Sequence, residues 1–195
     1  MDGRWDLSVF YRGFDDPQIE ADFARISDLC VQIRETLDSK GEPVTLLEKT
    51  ADQEEELNRL FGKLTGFAGL TQAAEAGHKE AMQLYDRCMQ ESVELDMLSS
   101  AFSRYLGAMD AKTFEDTIAA SPKLQSIAFH LCREREAAEH TPAPEIEEWL
   151  LNMSLSGAET FSQLRDQLDA TLMVDYRGKQ LPLSEIRGID RKSVV

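Results

Sequence analysis

Three histidines, His78, His130 and His140, are the side chains of this 195-residue chain best suited to holding a catalytic metal ion. A zinc hydrolase of the His-Glu-x-x-His type needs two imidazoles on one helix face and a glutamate that acts as general base. None of the three histidines begins that motif. The chain therefore has no pair of imidazoles at the spacing that would bind zinc and activate water.

Two shorter patterns have part of a metal-binding spacing. The run His78-Lys79-Glu80 has the His-x-Glu order of a zinc deaminase, but no Pro-Cys-x-x-Cys follows it to complete the zinc ligands. His130 and Cys132 are two residues apart and so fall on different faces of a helix. Neither spacing supplies a complete set of metal ligands. Both therefore argue against a self-contained metalloenzyme built on these histidines and the cysteines.

The remaining nucleophiles and carboxylates have simpler structural explanations. Ser156-Gly157 lacks the Gly-x-Ser-x-Gly turn of a serine hydrolase and fits the start of a helix. Paired carboxylates, at Asp15 and Asp16 and again at Glu147 and Glu148, are typical of helix caps and solvated helix faces. We predict no catalytic, cofactor-binding or metal-binding residue in this chain.

The three cysteines do not form a disulfide framework. Cys30, Cys88 and Cys132 are odd in number and are separated by more than forty residues each. Free cysteine is among the most buried residue types. We expect all three to be reduced thiols in the core.

Composition excludes several classes of function. Asp and Glu number 36 against 21 Lys and Arg, so the net charge is −15, which repels nucleic acids and anionic bilayers. Apolar residues make up 42% and charged residues 29% of the chain, a balance typical of a folded domain. No secretory signal or membrane-spanning run is visible, and we expect a cytoplasmic protein.

The elements that must position any site are helices. Apolar residues recur at helical spacing and predict long helices over about 16–39, 44–74 and 77–106, then shorter helices over about 110–119, 121–135, 143–153 and 157–170. Alternating residues after 171 predict a small hairpin turned by Gly178. The predicted fold class is all-α: an antiparallel bundle of long helices followed by shorter helices, with one small C-terminal β-hairpin.

The order of several motifs resembles the N-terminal domain of the oligoendopeptidase F family of zinc metallopeptidases. The opening and the hairpin carry the most specific matches, and a helix from Leu124 to Arg133 lies between them. The matching runs are Trp5-Asp6-Leu7-Ser8, Phe10-Tyr11, Gly13-Phe14-Asp15-Asp16-Pro17, Ser154-Leu155-Ser156-Gly157-Ala158, Phe161-Ser162-Gln163-Leu164, Val174-Asp175-Tyr176-Arg177-Gly178-Lys179 and Leu181-Pro182-Leu183-Ser184-Glu185.

The resemblance implies a specific role. In this family an N-terminal helical domain covers a cytoplasmic catalytic domain that binds zinc, and short peptides are cleaved in an enclosed cavity. The chain would then be a helical lobe over residues 1–170, with a hairpin and tail over 171–195 that lead towards a missing catalytic domain. The lobe would enclose the cavity without cleaving peptides itself, because zinc belongs to the intact enzyme.

The alternative is a stand-alone acidic helical module that binds a partner protein or a second copy of itself. Either function requires an exposed apolar patch, and its position separates them. A patch around the hairpin and tail favours a lobe that has lost its catalytic domain. A patch along the helices near Leu57 to Ala68 favours an independent binding module.

Overall fold

A computed structural model describes residues 6–75 and 77–182, together with residues 186 and 189. The fold is all-α with one small hairpin, as the sequence predicts. The long helices are α1 (Pro17–Asp38), α2 (Pro43–Ala74) and α3 (Lys79–Ala108). The shorter helices are α4 (Ala111–Ala120), α5 (Pro122–Ser126), α6 (Ala128–Ala137), α7 (Pro144–Ser154) and α8 (Thr160–Thr171), and the strands are β1 (Met173–Tyr176) and β2 (Lys179–Pro182).

The chain forms two compact units, Met1–Leu151 and Asn152–Val195. The division into a helical lobe over residues 1–170 and a hairpin and tail over 171–195 stays a prediction.

Helix starts in the first unit are set by capping side chains. The carboxylate of Asp16 accepts a hydrogen bond from the backbone N–H of Gln18 at 3.0 Å, and Pro17 occupies the first helical turn. Proline suits this place because its missing N–H would have no partner inside the helix. Asp110 caps α4 in the same way, through the N–H of Thr113 at 2.9 Å.

The three long helices run up, down and up. Asp22 of α1 pairs with Lys63 of α2, and the later Arg25 of α1 pairs with the earlier Glu56 of α2. The two helices are therefore antiparallel. Gln72 of α2 donates to the carbonyl of Ala81 at the start of α3, which makes α2 and α3 antiparallel as well. The predicted antiparallel bundle is therefore present.

Two hydrophobic clusters fill the first unit. The larger lies among the long helices and includes Ile26, Leu29, Ile33, Leu64 and Cys88. The smaller joins α2 and α3 to the shorter helices and consists of Leu47, Phe102, Leu106, Phe114, Leu124 and Leu131. Burial of each large apolar side chain contributes about 1.5–3 kcal/mol, so these clusters supply most of the stabilisation of the bundle.

A buried carboxylate ties the N-terminal segment to α1 and α2. Asp22 is 4% exposed and accepts hydrogen bonds from Tyr11 Oη at 2.7 Å, Lys63 Nζ at 2.9 Å and Gln18 Nε2 at 2.6 Å. Burial alone would raise its pKa, but these three donors and the charge of Lys63 outweigh burial and lower it. Asp22 is thus ionised and fully partnered, as a buried charge must be.

One predicted helix is two separate helices in the structure. The sequence predicts a single helix over 121–135, but the chain breaks at Ile127, which has φ −111° and ψ 14°. The two halves pack on different neighbours: Lys123 of α5 donates to the carbonyl of Glu48 on α2, while α6 packs against α3. A single straight helix could not make both the contact with α2 and the contact with α3.

The helices after residue 143 are continuous through an irregular turn. The sequence predicts a gap between residues 153 and 157, whereas a π-helical turn, Leu155–Glu159, joins α7 directly to α8. In the second unit, β1 and β2 pair antiparallel across Arg177 and Gly178, whose φ values are 55° and 76°. Two positive φ values define a type I′ turn, which glycine allows without strain, and the predicted hairpin is confirmed.

We expect opposite effects from alanine at two helical glycines. A Cβ added at Gly107 of α3 would lie 2.6 Å from Ala138 Cβ, whereas one at Gly62 of α2 meets nothing within 4 Å. Gly107→Ala should lower the free energy of unfolding by about 1–2 kcal/mol through overpacking, and Gly62→Ala should raise it by up to about 1 kcal/mol through helix propensity. Urea unfolding measures both; equal stabilisation by the two variants would contradict the close approach at Gly107.

Candidate interaction surface

His78 has a structural role at the start of α3. Its Nδ1 accepts a hydrogen bond from the backbone N–H of Ala81 at 3.3 Å, which caps the helix. Its ring also stacks on Phe14, with 4.9 Å between the ring centroids. The cap therefore accounts for the position of His78 without a metal ion.

The other two histidines lie apart from His78. His130 is on α6, with Nδ1 3.9 Å from Glu134 Oε1, and His140 follows the end of that helix in an exposed turn. Within residues 6–75 and 77–182, no three His, Cys, Asp or Glu side chains come together in a group that could hold a metal ion. The side chains present in this part of the chain do not fit the zinc ion that the resemblance implies for the intact enzyme.

Two of the three cysteines are core residues and one is not. Cys30 and Cys88 are buried, and burial raises the pKa of both thiols to about 11. The expectation of burial is wrong for Cys132, which is exposed on α6. Leu131, next to it, takes the core-facing position of that turn, and successive helical residues point in different directions.

Ser156 lies inside the π-helical turn and not at a helix start. Its Oγ donates to the carbonyl of Asn152 at 3.2 Å. Of the paired carboxylates, Asp16 is a helix cap, as predicted, and Asp15 and Glu148 are exposed or partly exposed. The prediction of a solvated face is wrong for Glu147, which is 5% exposed.

Glu54 of α2 has a raised pKa. Burial, followed by the negative charge of Glu134 on α6, raises the pKa of Glu54 to about 7. Glu134 is itself held in place, because Ser103 Oγ of α3 donates to its Oε2 at 2.6 Å. A raised pKa marks a candidate acid or base, but here the cause is the approach of three packed helices, which explains it without a substrate.

Helix α7 is anchored to the bundle through a polar contact. Glu147 accepts a hydrogen bond from Arg104 Nη1 of α3 at 3.0 Å. Desolvation and then the charge of Glu147 raise the pKa of Asp96, also on α3, so a second carboxylate lies near the same place. Among the residues of α7, Glu147 is the only one classed as buried.

The apolar stripe of α7 faces solvent. Ile146, Trp149, Leu150 and Met153 recur at helical spacing and so share one face. Their exposed fractions range from 52% for Leu150 to 72% for Trp149. An amphipathic helix usually buries its apolar face, whereas α7 buries Glu147 and exposes Trp149.

Helix α8 of the second unit also exposes its apolar stripe. The exposed residues are Phe161, Leu164, Leu168 and Leu172, and the first of them is 71% exposed. The sequence predicts helices over about 143–153 and 157–170 but gives no sign that the apolar face of either one is exposed to solvent. Periodicity shows which side of a helix is apolar and not what covers that side.

The helix segment that would favour an independent binding module is buried. Leu57, Leu60, Leu64, Phe67 and Ala68 all lie in the larger hydrophobic cluster. The exposed apolar residues instead concentrate between residues 146 and 173, just before and at the start of the hairpin.

Glu54 should make stability fall as the pH rises from about 4.5 to about 7. In that range the folded protein keeps a proton that the unfolded chain has released, so folding is favoured at the lower pH. Glu54→Gln should therefore match the unaltered protein near pH 4.5 and exceed its free energy of unfolding by about 1–2 kcal/mol at pH 8.

Urea unfolding at the two pH values measures this effect, with Glu55→Gln as the control because Glu55 is an exposed neighbour on the same helix. Equal pH dependence of Glu54→Gln and Glu55→Gln would show that Glu54 is not the group responsible.

No helix in the described part of the chain is both long enough and apolar enough to cross a membrane.

Comparison with known proteins identifies one segment. Residues 106–173, about a third of the chain, match the family model of oligopeptidase F. The segment runs from the last turn of α3 to the start of β1 and contains both exposed stripes. No curated protein and no solved structure matches the chain. Residues 106–173 are therefore similar to the N-terminal domain of the oligopeptidase F family, in agreement with the resemblance found in the sequence.

Proposed function

We propose that this chain is the N-terminal helical lobe of an oligoendopeptidase F-like zinc metallopeptidase. The lobe covers a catalytic domain, encloses the active-site cavity and admits only short peptides. The observation that carries the proposal is the exposure of two complete apolar stripes, on α7 and α8, inside the segment that matches the family.

The energetics of those stripes support a covering domain. Burial of an exposed Trp, Leu, Ile or Phe side chain contributes about 1.5–3 kcal/mol. Exposed apolar patches of this kind are typical of surfaces that another protein or domain covers. In the proposed enzyme the catalytic domain occupies them, and the lobe gains stability from the contact.

The lobe contributes enclosure and no bond chemistry. The described histidines and carboxylates do not form a zinc site, and zinc belongs to the catalytic domain of the intact enzyme. Walls around the scissile bond exclude bulk water and folded proteins and hold a short peptide in place. The proposed enzyme is cytoplasmic.

The second candidate is a stand-alone acidic module that binds a partner or a second copy of the chain. The same exposed stripes would serve it, but the face that it was expected to use, Leu57 to Ala68, is part of the core. The match to a peptidase family over the exposed segment favours the lobe.

The DNA after codon 195 tests the proposal first. We expect an in-frame continuation, or an adjacent gene, that encodes His-Glu-x-x-His. The complete protein should cleave short peptides, lose activity to a chelator and regain it with zinc. The 195-residue chain alone should show no cleavage that zinc restores. A stop codon with no such sequence nearby, or zinc-dependent cleavage by the chain alone, would refute the lobe function.

Charge placed in the α8 stripe tests the covering contact. In the complete protein, Leu164→Asp should lower kcat/KM by about tenfold or more, because it puts a carboxylate in an apolar interface. The control is Val31→Asp on α1, where a valine is 50% exposed and no covering domain is proposed. Equal activities of the two variants would argue against a contact at α8.

A further inference from the structure

One nitrogen of the His78 ring lies beside two groups of opposite polarity. Its Nδ1 accepts the backbone N–H of Ala81 at 3.3 Å and lies 3.8 Å from Oε2 of Glu80. A neutral imidazole accepts a hydrogen bond at one nitrogen, whereas both nitrogens of the protonated ring are donors. The contact with Ala81 therefore requires neutral His78, and an ion pair with Glu80 requires the protonated ring.

The N–H of Ala81 depends on the contact with His78. Ala81 is 0% exposed and lies in the first turn of α3, where N–H groups have no acceptor within the helix. The carbonyl of Ala81 accepts a hydrogen bond from Nε2 of Gln72 at 3.0 Å, which joins the start of α3 to α2. A buried N–H without an acceptor destabilises the structure around it. Loss of the His78 contact would thus weaken the connection between α2 and α3.

The position of the His78 ring is compatible with both protonation states. The ring stacks on Phe14 with 4.9 Å between centroids, and Phe14 in turn contacts Phe67 of α2 at 4.7 Å. An aromatic face attracts a cation, so protonation does not remove this stacking. The side chain of Glu80 is 68% exposed, and little packing opposes its approach to the ring.

Other charged residues lie on each element next to His78. They are Lys79 of α3, Glu75 at the end of α2, Asp15 of the N-terminal segment, and the pair formed by Glu20 of α1 and Arg87 of α3. Asp15, Glu20 and Arg87 line the same surface cleft as Phe14 and Glu80. Among the charged side chains that the structure describes, Glu80 is the one within ion-pair distance of the His78 ring.

We propose that His78 is a pH-sensitive helix cap that exchanges partners when it is protonated. In the neutral ring, Nδ1 accepts the N–H of Ala81 and holds the first turn of α3. When Nδ1 binds a proton from solvent, it donates to the carboxylate of Glu80, and the N–H of Ala81 loses its acceptor. Histidine side chains take up this proton at about pH 6.5. Mild acid thus loosens the start of α3, a property that does not depend on the proposed lobe function.

NMR titration of the 195-residue chain from about pH 8 to about pH 5 tests the exchange. We expect the neutral ring of His78 to carry its proton on Nε2. The amide proton of Ala81 should move upfield as the ring is protonated, with the same midpoint, because it loses its hydrogen bond. In His78→Asn the Ala81 signal should stay in place over this range, because asparagine caps helices and does not titrate. This variant also identifies the ring signals of His78 among those of the three histidines.

Two matched carboxylate variants test the acidic partner. Glu80→Gln should lower the midpoint of the His78 titration by about 0.3 pH units or more, because the protonated ring loses its ion pair. Glu75→Gln removes an equal charge from an exposed residue on the other side of His78. It should lower the midpoint by less than half as much, since exposed charges beyond ion-pair distance are screened.

Four results would overturn the inference. These are a neutral ring with its proton on Nδ1, an Ala81 signal that does not follow protonation of His78, an Ala81 signal that moves equally in His78→Asn, and equal midpoint changes in Glu80→Gln and Glu75→Gln. None of them bears on the lobe function, which the DNA after codon 195 and the complete enzyme test separately.

Discussion

The ion pair between Arg104 and Glu147 decides which side of α7 faces the bundle. The α3 surface that α7 meets carries Arg104 and the nearby Asp96. If α7 turned to bury Trp149 there, these groups would lose water without gaining partners, and an unpaired buried charge costs several kcal/mol. Glu147 satisfies Arg104 instead. The apolar stripe is left outside because the inner side of the helix must be polar.

The donor of this ion pair is held by the packing of the first unit. Arg104 is on the same long helix as Leu98, Phe102 and Leu106, which are buried in the hydrophobic clusters. At the N-terminal end, Asp22 joins α1 to α2 through Lys63 and to the preceding segment through Tyr11. The donor that holds α7 therefore belongs to a packed framework.

Local features of the fold could be predicted from the sequence, whereas the exposed surface could not. Asp16 before Pro17 starts a helix, and Gly178 allows a turn with positive φ; both act within a few residues of themselves. The break at Ile127 depends on two different packing partners. The sequence alone predicts that Glu147 lies on a solvated face. Its burial is favourable because Arg104, 43 residues earlier in the chain, donates a hydrogen bond to it.

Net charge opposes contact between two copies of the chain through their exposed stripes. Two apolar helix faces promote association, but each copy carries 15 excess negative charges. The repulsion acts over about 8 Å at physiological salt, which is enough to oppose close approach of two such faces. An apolar contact between two copies must therefore overcome the repulsion of their like charges.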